Sequence, residues 1–232
     1  MKSTALEYLQ LNPLMHMDMI VPIKRDTARI LHASSEGVCL QETVSGAYMI
    51  SVSSRELGRS LADLIPPYAE MVTFHQAHMM EDLKAKFNHF TMLENYQAVY
   101  FSDNPLPVSC DMEIKTLDTS HFPLLMENYD VDVGADYLQN RLACGALFGG
   151  YVNDSLVGYA GIHAEGSIGL LKVFEKYRKK GYGAALMSFM VNHQLNHGVI
   201  PFAQIDVDNT ASLTLMRKLG FDVSCERVYW LF

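Results

Sequence analysis

From Leu171 to Leu186 the chain reads Leu-Lys-Val-Phe-Glu-Lys-Tyr-Arg-Lys-Lys-Gly-Tyr-Gly-Ala-Ala-Leu. An apolar, strand-like run enters a basic turn, and a helical pattern follows. Backbone N–H groups at a helix start have no intrahelical acceptor, and the helix dipole adds positive potential there. Gly181 and Gly183 let a ligand approach the backbone closely. Arg178, Lys179 and Lys180 add charge at the same place. Together these features describe a cradle for a pyrophosphate. The dinucleotide fingerprint GxGxxG is absent, no acidic residue follows at a strand end about 20 residues on, and the P-loop pattern is missing. The competing reading is a solvated basic helix start with two glycines.

A second segment weighs against that reading. Asp208-Asn209-Thr210-Ala211-Ser212 follows an apolar strand, and a helix then runs into Lys218-Leu219-Gly220-Phe221. Arg178-Lys179-Lys180-Gly181-Tyr182-Gly183 resembles the acyl-CoA pyrophosphate motif of the GNAT N-acetyltransferases, Arg/Gln-x-x-Gly-x-Gly/Ala. Val173 stands where that family usually has its strand-end valine, five residues before Arg178. Asn209 to Phe221 resembles the family's following segment, an Asn-x-x-Ala/Ser start, a helix, then Leu-Gly-Phe. The resemblance covers about half of the chain. The two-part layout and the ending Val228-Tyr229-Trp230-Leu231-Phe232 also resemble glycine N-acyltransferase-like members.

This resemblance implies a set of roles. The backbone of Leu171, Lys172 and Val173 would hydrogen-bond the pantetheine arm of acetyl-CoA where two central strands splay apart. The amides of Lys179, Lys180, Gly181, Tyr182, Gly183 and Ala184, with the Arg178 side chain, would hold the pyrophosphate. Asn209 would bind the pantetheine from the other side, and Ser212 would contact it. The chemistry implied is direct attack of a neutral amine on the thioester, with acetyl-CoA as co-substrate and no metal. Backbone N–H groups would meet the oxyanion, a base would take the amine proton, and an acid would protonate the thiolate.

Two positions depart from the family pattern. Many members place a tyrosine, the acid for the thiolate, seven residues after the asparagine; here that position is Met216, which has no proton to give. Tyr229 could reach the sulfur instead, water could serve, or the domain could bind CoA without turnover. Glu175 replaces the usual proline three residues before Arg178, which calls only for an adjusted turn. His163 and Glu165 flank the turn before the pyrophosphate-motif strand and are the candidate bases; the alternative is that both are surface hairpin residues.

Composition narrows the classes further. Hydrophobic residues make up 49% of the 232 and charged residues 19%, the balance of a soluble globular protein. The formal net charge of −8 argues against nucleic-acid binding, which needs a basic footprint. No stretch has the apolar length of a membrane span, and the N-terminus lacks a secretory pattern, so a cytoplasmic protein is expected. Cys39, Cys110, Cys144 and Cys225 are far apart and read as free thiols. His193 and His197, and His75 and His78, have metal-compatible spacings but no third ligand. The 14 methionines read mainly as core filling.

The elements that would position these residues divide at the proline-rich stretch 102–107. Residues 1–107 are expected to form a smaller α/β (α+β) domain that shapes the acceptor pocket or a dimer interface. Its pattern gives a helix at 26–31, strands at 37–42 and 47–52, a helix from Arg55 capped by Ser53 or Ser54, a strand at 71–74, a helix at 78–87 and a strand at 97–101. Residues 108–232 are expected to be the acyltransferase domain, an α/β fold with a mixed, strongly curved sheet flanked by helices. Its predicted order is a strand (112–117), two helices (121–129, 134–142) and three strands (146–152, 156–163, 168–173). A helix (183–197), a strand (204–207), a helix (211–219) and a final strand (223–232) complete it. The function expected is N-acetylation of a small or amino-acid-like primary amine. The alternatives are a non-catalytic CoA-binding sensor, or an acetyltransferase for a protein N-terminus or lysine.

Overall fold

The computed structural model describes residues 1–87, 91–108, 111–128 and 134–232. The end of the 121–129 helix and Cys110 lie outside the described residues. The chain divides into two compact units, Met1–Val99 with Phe202–Phe232, and Tyr100–Pro201. This grouping differs from a linear division at Pro107, and the reason lies in strand pairing.

The first unit opens with helices α1 (Lys2–Leu9) and α2 (Met17–Lys24), which the sequence pattern did not predict. Pro22 inside α2 disguised it as a non-helix, yet residues 17–23 are all buried, and that burial outweighs the breaker. Next come β1 (Ala28–Ala33), β2 (Gly37–Glu42), β3 (Tyr48–Val52), α3 (Arg55–Ala62), β4 (Val72–Phe74), α4 (Met80–Lys86) and β5 (Met92–Val99). The predicted helix at 26–31 is wrong. Asp26 has a left-handed φ of 59°, which stops α2 rather than starting a helix, and β1 then pairs with β2. The cap expected for α3 is Ser54, whose side chain accepts from the Leu57 N–H. Strand β5 starts earlier than expected because Glu94, Asn95 and Gln97 obscure its apolar pattern.

The second unit contains β6 (Glu113–Thr116), α5 (Phe122–Asn128), α6 (Ala135–Ala143), β7 (Leu147–Val152), β8 (Ser155–Ile162), β9 (Ile168–Val173) and α7 (Tyr182–Asn196). These match the predicted order. Asn153 and Asp154, at φ 48° and 58°, make the two-residue turn of the β7–β8 hairpin, since two left-handed residues match the strand twist. The chain then returns to the first unit with β10 (Phe202–Asp206), α8 (Thr210–Lys218) and β11 (Asp222–Leu231).

The expected mixed sheet is present, and its strands come from both halves of the sequence. Strands β6-β7-β8-β9 form an antiparallel sheet of their own. Strands β10 and β11 instead join a mixed sheet in the order β1-β2-β3-β4-β11-β5-β10, in which only β3 and β4 run parallel. Strand β11 is ten residues long and lies between β4 and β5. Its apolar end Val228–Leu231 is buried there, a placement that sequence order does not suggest.

In the second unit Leu117, Leu125, Leu138, Leu142, Leu147, Tyr159 and Leu170 form one core, and α7 packs on β8 and β9. In the first unit a core gathers around Ile50, Phe74, Met79, Leu83 and Leu231. Met15, Met17, Met19 and Met79 are all buried, so these methionines fill core.

Candidate active site

The turn from Arg178 to Ala184 has the backbone of an anion cradle. After a single 3-10 turn at Glu175–Tyr177, Lys179 takes φ 62° and Gly181 φ 86°. Left-handed residues alternating with ordinary ones turn successive N–H groups inward, a nest for anions. Gly181 is the N-cap of α7; it supplies no side-chain cap, and no acidic residue stands in the first turn. The first helical acceptor used is the Gly181 carbonyl, bonded by Ala185, so the first-turn amides before it have no hydrogen-bond partner among the described residues. A Cβ at Gly181 would meet nothing within 4 Å, so its glycine answers a backbone need, not a crowded one. Arg178, Lys179 and Lys180 are exposed and form no salt bridge among the described residues. Lys180 lies 5.7 Å from the centre of the Tyr177 ring.

Arg178 also turns back toward the strand. Its Nε donates to the Val173 carbonyl over 3.2 Å. One of the backbone groups expected to face pantetheine is therefore tied to the residue expected to face pyrophosphate.

Leu171, Lys172 and Val173 are half-buried in β9, the last strand of its sheet. Just before them the ladder breaks. Tyr159 pairs with Lys172 and Gly161 with Gly169, so Leu170 and Leu171 together oppose the single residue Ala160. Leu170 has φ 53° while its side chain stays in the core. This is a β-bulge with a left-handed leucine, a costly backbone state for a branched residue. Such a bulge re-aims backbone N–H groups, and strain of this kind collects at functional sites.

The two candidate bases have different surroundings. Glu165 is 8% exposed and accepts a hydrogen bond from the Ser167 hydroxyl. Its turn is anchored by Gln194 of α7, which donates to the Gly166 carbonyl over 2.9 Å. His163 is half-buried, with its Nδ1 2.8 Å from the Tyr137 hydroxyl on α6. Its Nε2 has no hydrogen-bond partner among the described residues and lies against Gly169. Tyr137, Gly169 and Leu170 were not found by sequence reasoning. A tyrosine on an amphipathic helix and a leucine in an apolar strand both read as core, and no spacing rule marks them.

Asn209, Ser212, Met216 and Tyr229 belong to the first unit. Asn209 caps α8, its Oδ1 accepting from the Ser212 N–H over 3.0 Å, and its Nδ2 has no hydrogen-bond partner among the described residues. Met216 is buried, and Phe221 donates to its carbonyl as the helix closes at Gly220, φ 87°. Tyr229 is 7% exposed, with its ring stacked 4.9 Å from Phe74. Burial, helped by Glu94, pushes its phenol above the ordinary value, so it holds its proton as a packed core residue.

Comparison with known proteins adds independent findings. Residues 113–221 match the Acetyltransferase (GNAT) family. Comparison with curated proteins gives no match. Among solved structures, a Drosophila protein is similar at 14% identity and a TM-score of 0.64, over 84% of this chain and 74% of that one. A GCN5-related N-acetyltransferase-like protein from Streptococcus suis is similar at 14% identity and a TM-score of 0.54, over 98% of each chain. A GCN5-related N-acetyltransferase from Sphaerobacter thermophilus shares 16% identity at a TM-score of 0.54, over 100% of this chain and 92% of that one. At such identities the likeness is one of fold. The family match spans β6 to the Leu219-Gly220-Phe221 ending and encloses both motifs, so over these residues the chain is similar to the Acetyltransferase (GNAT) family.

Proposed function

We propose that this protein transfers the acetyl group of acetyl-CoA to a primary amine of a small molecule. The observation that carries this reading is the uncapped start of α7, where the left-handed Lys179 and Gly181 leave first-turn amides with no partner among the described residues, beside three cations that form no salt bridge among them. That arrangement suits the pyrophosphate of a CoA thioester, and the open edge of β9 suits its pantetheine arm. Asn209 and Ser212 are assigned to pantetheine on the family motif alone.

In the reaction proposed, the amine nitrogen attacks the thioester carbonyl carbon. The bulge at Leu170–Leu171 offers re-aimed N–H groups to the oxyanion, where preorganised donors are worth most. The amine proton passes to His163 Nε2. The carbon–sulfur bond then breaks, and its electrons leave on the CoA thiolate. Neither Met216 nor the packed Tyr229 is assigned to that thiolate; water protonates it. A cytoplasmic setting belongs to this reading, supported by the free state of Cys39, Cys144 and Cys225.

The buried Met216 favours a second reading, a CoA-binding sensor without turnover. Thermal melting with acetyl-CoA, on the wild type and on Gly181→Glu, tests what the two readings share. At about 100 times Kd a ligand of the folded state adds roughly 2.7 kcal/mol, so the wild type is expected to melt several degrees higher and the variant to be unmoved. Equal shifts in both would remove the cofactor from this turn. Thiol release from acetyl-CoA with a panel of primary amines then separates the enzyme from the sensor.

A further inference from the structure

Among the described residues, His163 is gripped from one side only. The Tyr137 hydroxyl stands 2.8 Å from Nδ1 and also accepts from the Ala164 N–H over 3.3 Å. The two rings stack 6.0 Å apart at 25°, so tyrosine fixes both the plane and the direction of the imidazole. On the other side, a Cβ placed on Gly169 would fall 2.4 Å from Nε2. Nε2 therefore touches the β9 backbone one residue before the left-handed Leu170, and glycine at 169 is what gives it room.

We propose that Tyr137 is a positioning residue for acetyl transfer, holding the hydrogen of His163 on Nδ1 so that Nε2 presents its lone pair beside the bulge. The proposal rests on the reading of His163 as the base. The bond made by one ring nitrogen decides which nitrogen exchanges a proton. With Nδ1–H donating to the Tyr137 oxygen, Nε2 takes the amine proton as the nitrogen–carbon bond forms. The resulting imidazolium keeps the same Nδ1–H bond, and Tyr137 itself exchanges no proton.

Among the described residues, no side chain hydrogen-bonds Nε2. Arg141 of α6 sits with its Cζ 5.7 Å from the Tyr137 ring centre. Glu165 is engaged by Ser167, and Gln194 of α7 by the Gly166 carbonyl. Strand β9 presents the Gly169 backbone.

The test begins without an acceptor. Long-range nitrogen–proton NMR of the histidine rings, with His163 assigned by loss of its signal in His163→Gln, is expected to show the Nδ1–H form in the wild type. In Tyr137→Phe, which keeps the stacked ring, the two neutral forms are expected to mix. An Nε2–H form in the wild type would overturn the proposal with no Tyr137 variant needed. Thiol release with the amine found by the panel screen supplies the kinetic arm. Tyr137→Phe is expected to lower kcat by roughly tenfold, part of the 10²–10⁴ that a general base supplies. It is also expected to displace the acid limb of the pH profile and to leave the acetyl-CoA melting shift intact. An unchanged pH profile and ring form in Tyr137→Phe would make Tyr137 a packing residue. Wild-type turnover in His163→Gln would instead remove the base reading and the proposal with it.

Discussion

His163 and His75 are each held through a ring nitrogen, and they differ in what the other nitrogen meets. In the second unit, Nδ1 of His163 faces Tyr137 and Nε2 is left against a glycine. In the first unit, His75 and Asp18 have no exposed side-chain surface. His75 donates from Nε2 to the Asp18 carboxylate over 2.9 Å and from Nδ1 to the Ile50 carbonyl over 3.2 Å. Burial alone lowers His75, but the carboxylate and the carbonyl outweigh it and hold the ring above its ordinary value. Gln204 of β10 adds a bond to Asp18, and Trp230 of β11 donates to Gln204.

His75, whose two ring nitrogens both face acceptors, one of them a buried carboxylate, is held as a structural cation. A histidine with a single engaged nitrogen keeps a proton site for chemistry. The first unit's network thus ties α2, β4, β10 and β11 together, whereas in the second unit's pair Nε2 has no hydrogen-bond partner among the described residues. His75, weighed as a metal ligand from its spacing to His78, turns out to be an ion-pair partner.

The largest expected effect comes from breaking the structural side. Asp18→Ala strands a buried imidazolium and is expected to cost about 3–5 kcal/mol, read from urea unfolding. A midpoint near the wild type would mean that His75 is neutral, and the contrast would collapse. On the catalytic side, Gly169→Ala pushes His163 Nε2 away from the bulge. A displacement near 1 Å costs about 10²-fold in turnover, expected in kcat with the acetyl-CoA melting shift preserved. Undiminished turnover would show that Nε2 has no need of its place on β9.

The smallest effect sharpens the contrast through pH. His16 donates from Nδ1 to the Leu9 carbonyl and accepts at Nε2 from Ser51. Burial chiefly, with His75 beside it, lowers it from 6.5 to about 4. The unfolded chain therefore binds the extra proton first, and stability falls as pH drops from about 6.5 toward about 4. His75 acts with the opposite sign: its contribution is present below pH 6.5 and fades as pH rises through its raised value. Between pH 6.5 and 5.5 a loss on the order of 1 kcal/mol from His16 is expected, flattened in His16→Gln. A melting curve in that variant as steep with pH as the wild type would place the titration elsewhere.

Much of the second unit and both motifs were legible in the sequence, because their signals are local. The Asn153-Asp154 turn and the Ser54 cap each need only a few neighbouring residues to specify them. In the turn expected to hold the cofactor, Gly181 is left-handed, whereas its sequence points only to close approach by a ligand. Beyond that reach the reading failed in identifiable ways. The 26–31 segment has no local preference strong enough to resist the ladder offered by β2. Glu165 looked as eligible as His163 until burial and Ser167 distinguished them.

The sequence by itself determined where backbone must bend and where charge must gather, since glycine, cap and turn preferences act within a few residues. Only the tertiary structure decided the rest. It put β11 between β4 and β5, enclosed Met216 and Tyr229 in cores, set a left-handed leucine into β9, and brought Tyr137 to His163 across 26 residues of chain. Those outcomes depend on which surfaces bury one another, and side-chain packing between distant segments leaves no periodicity to read.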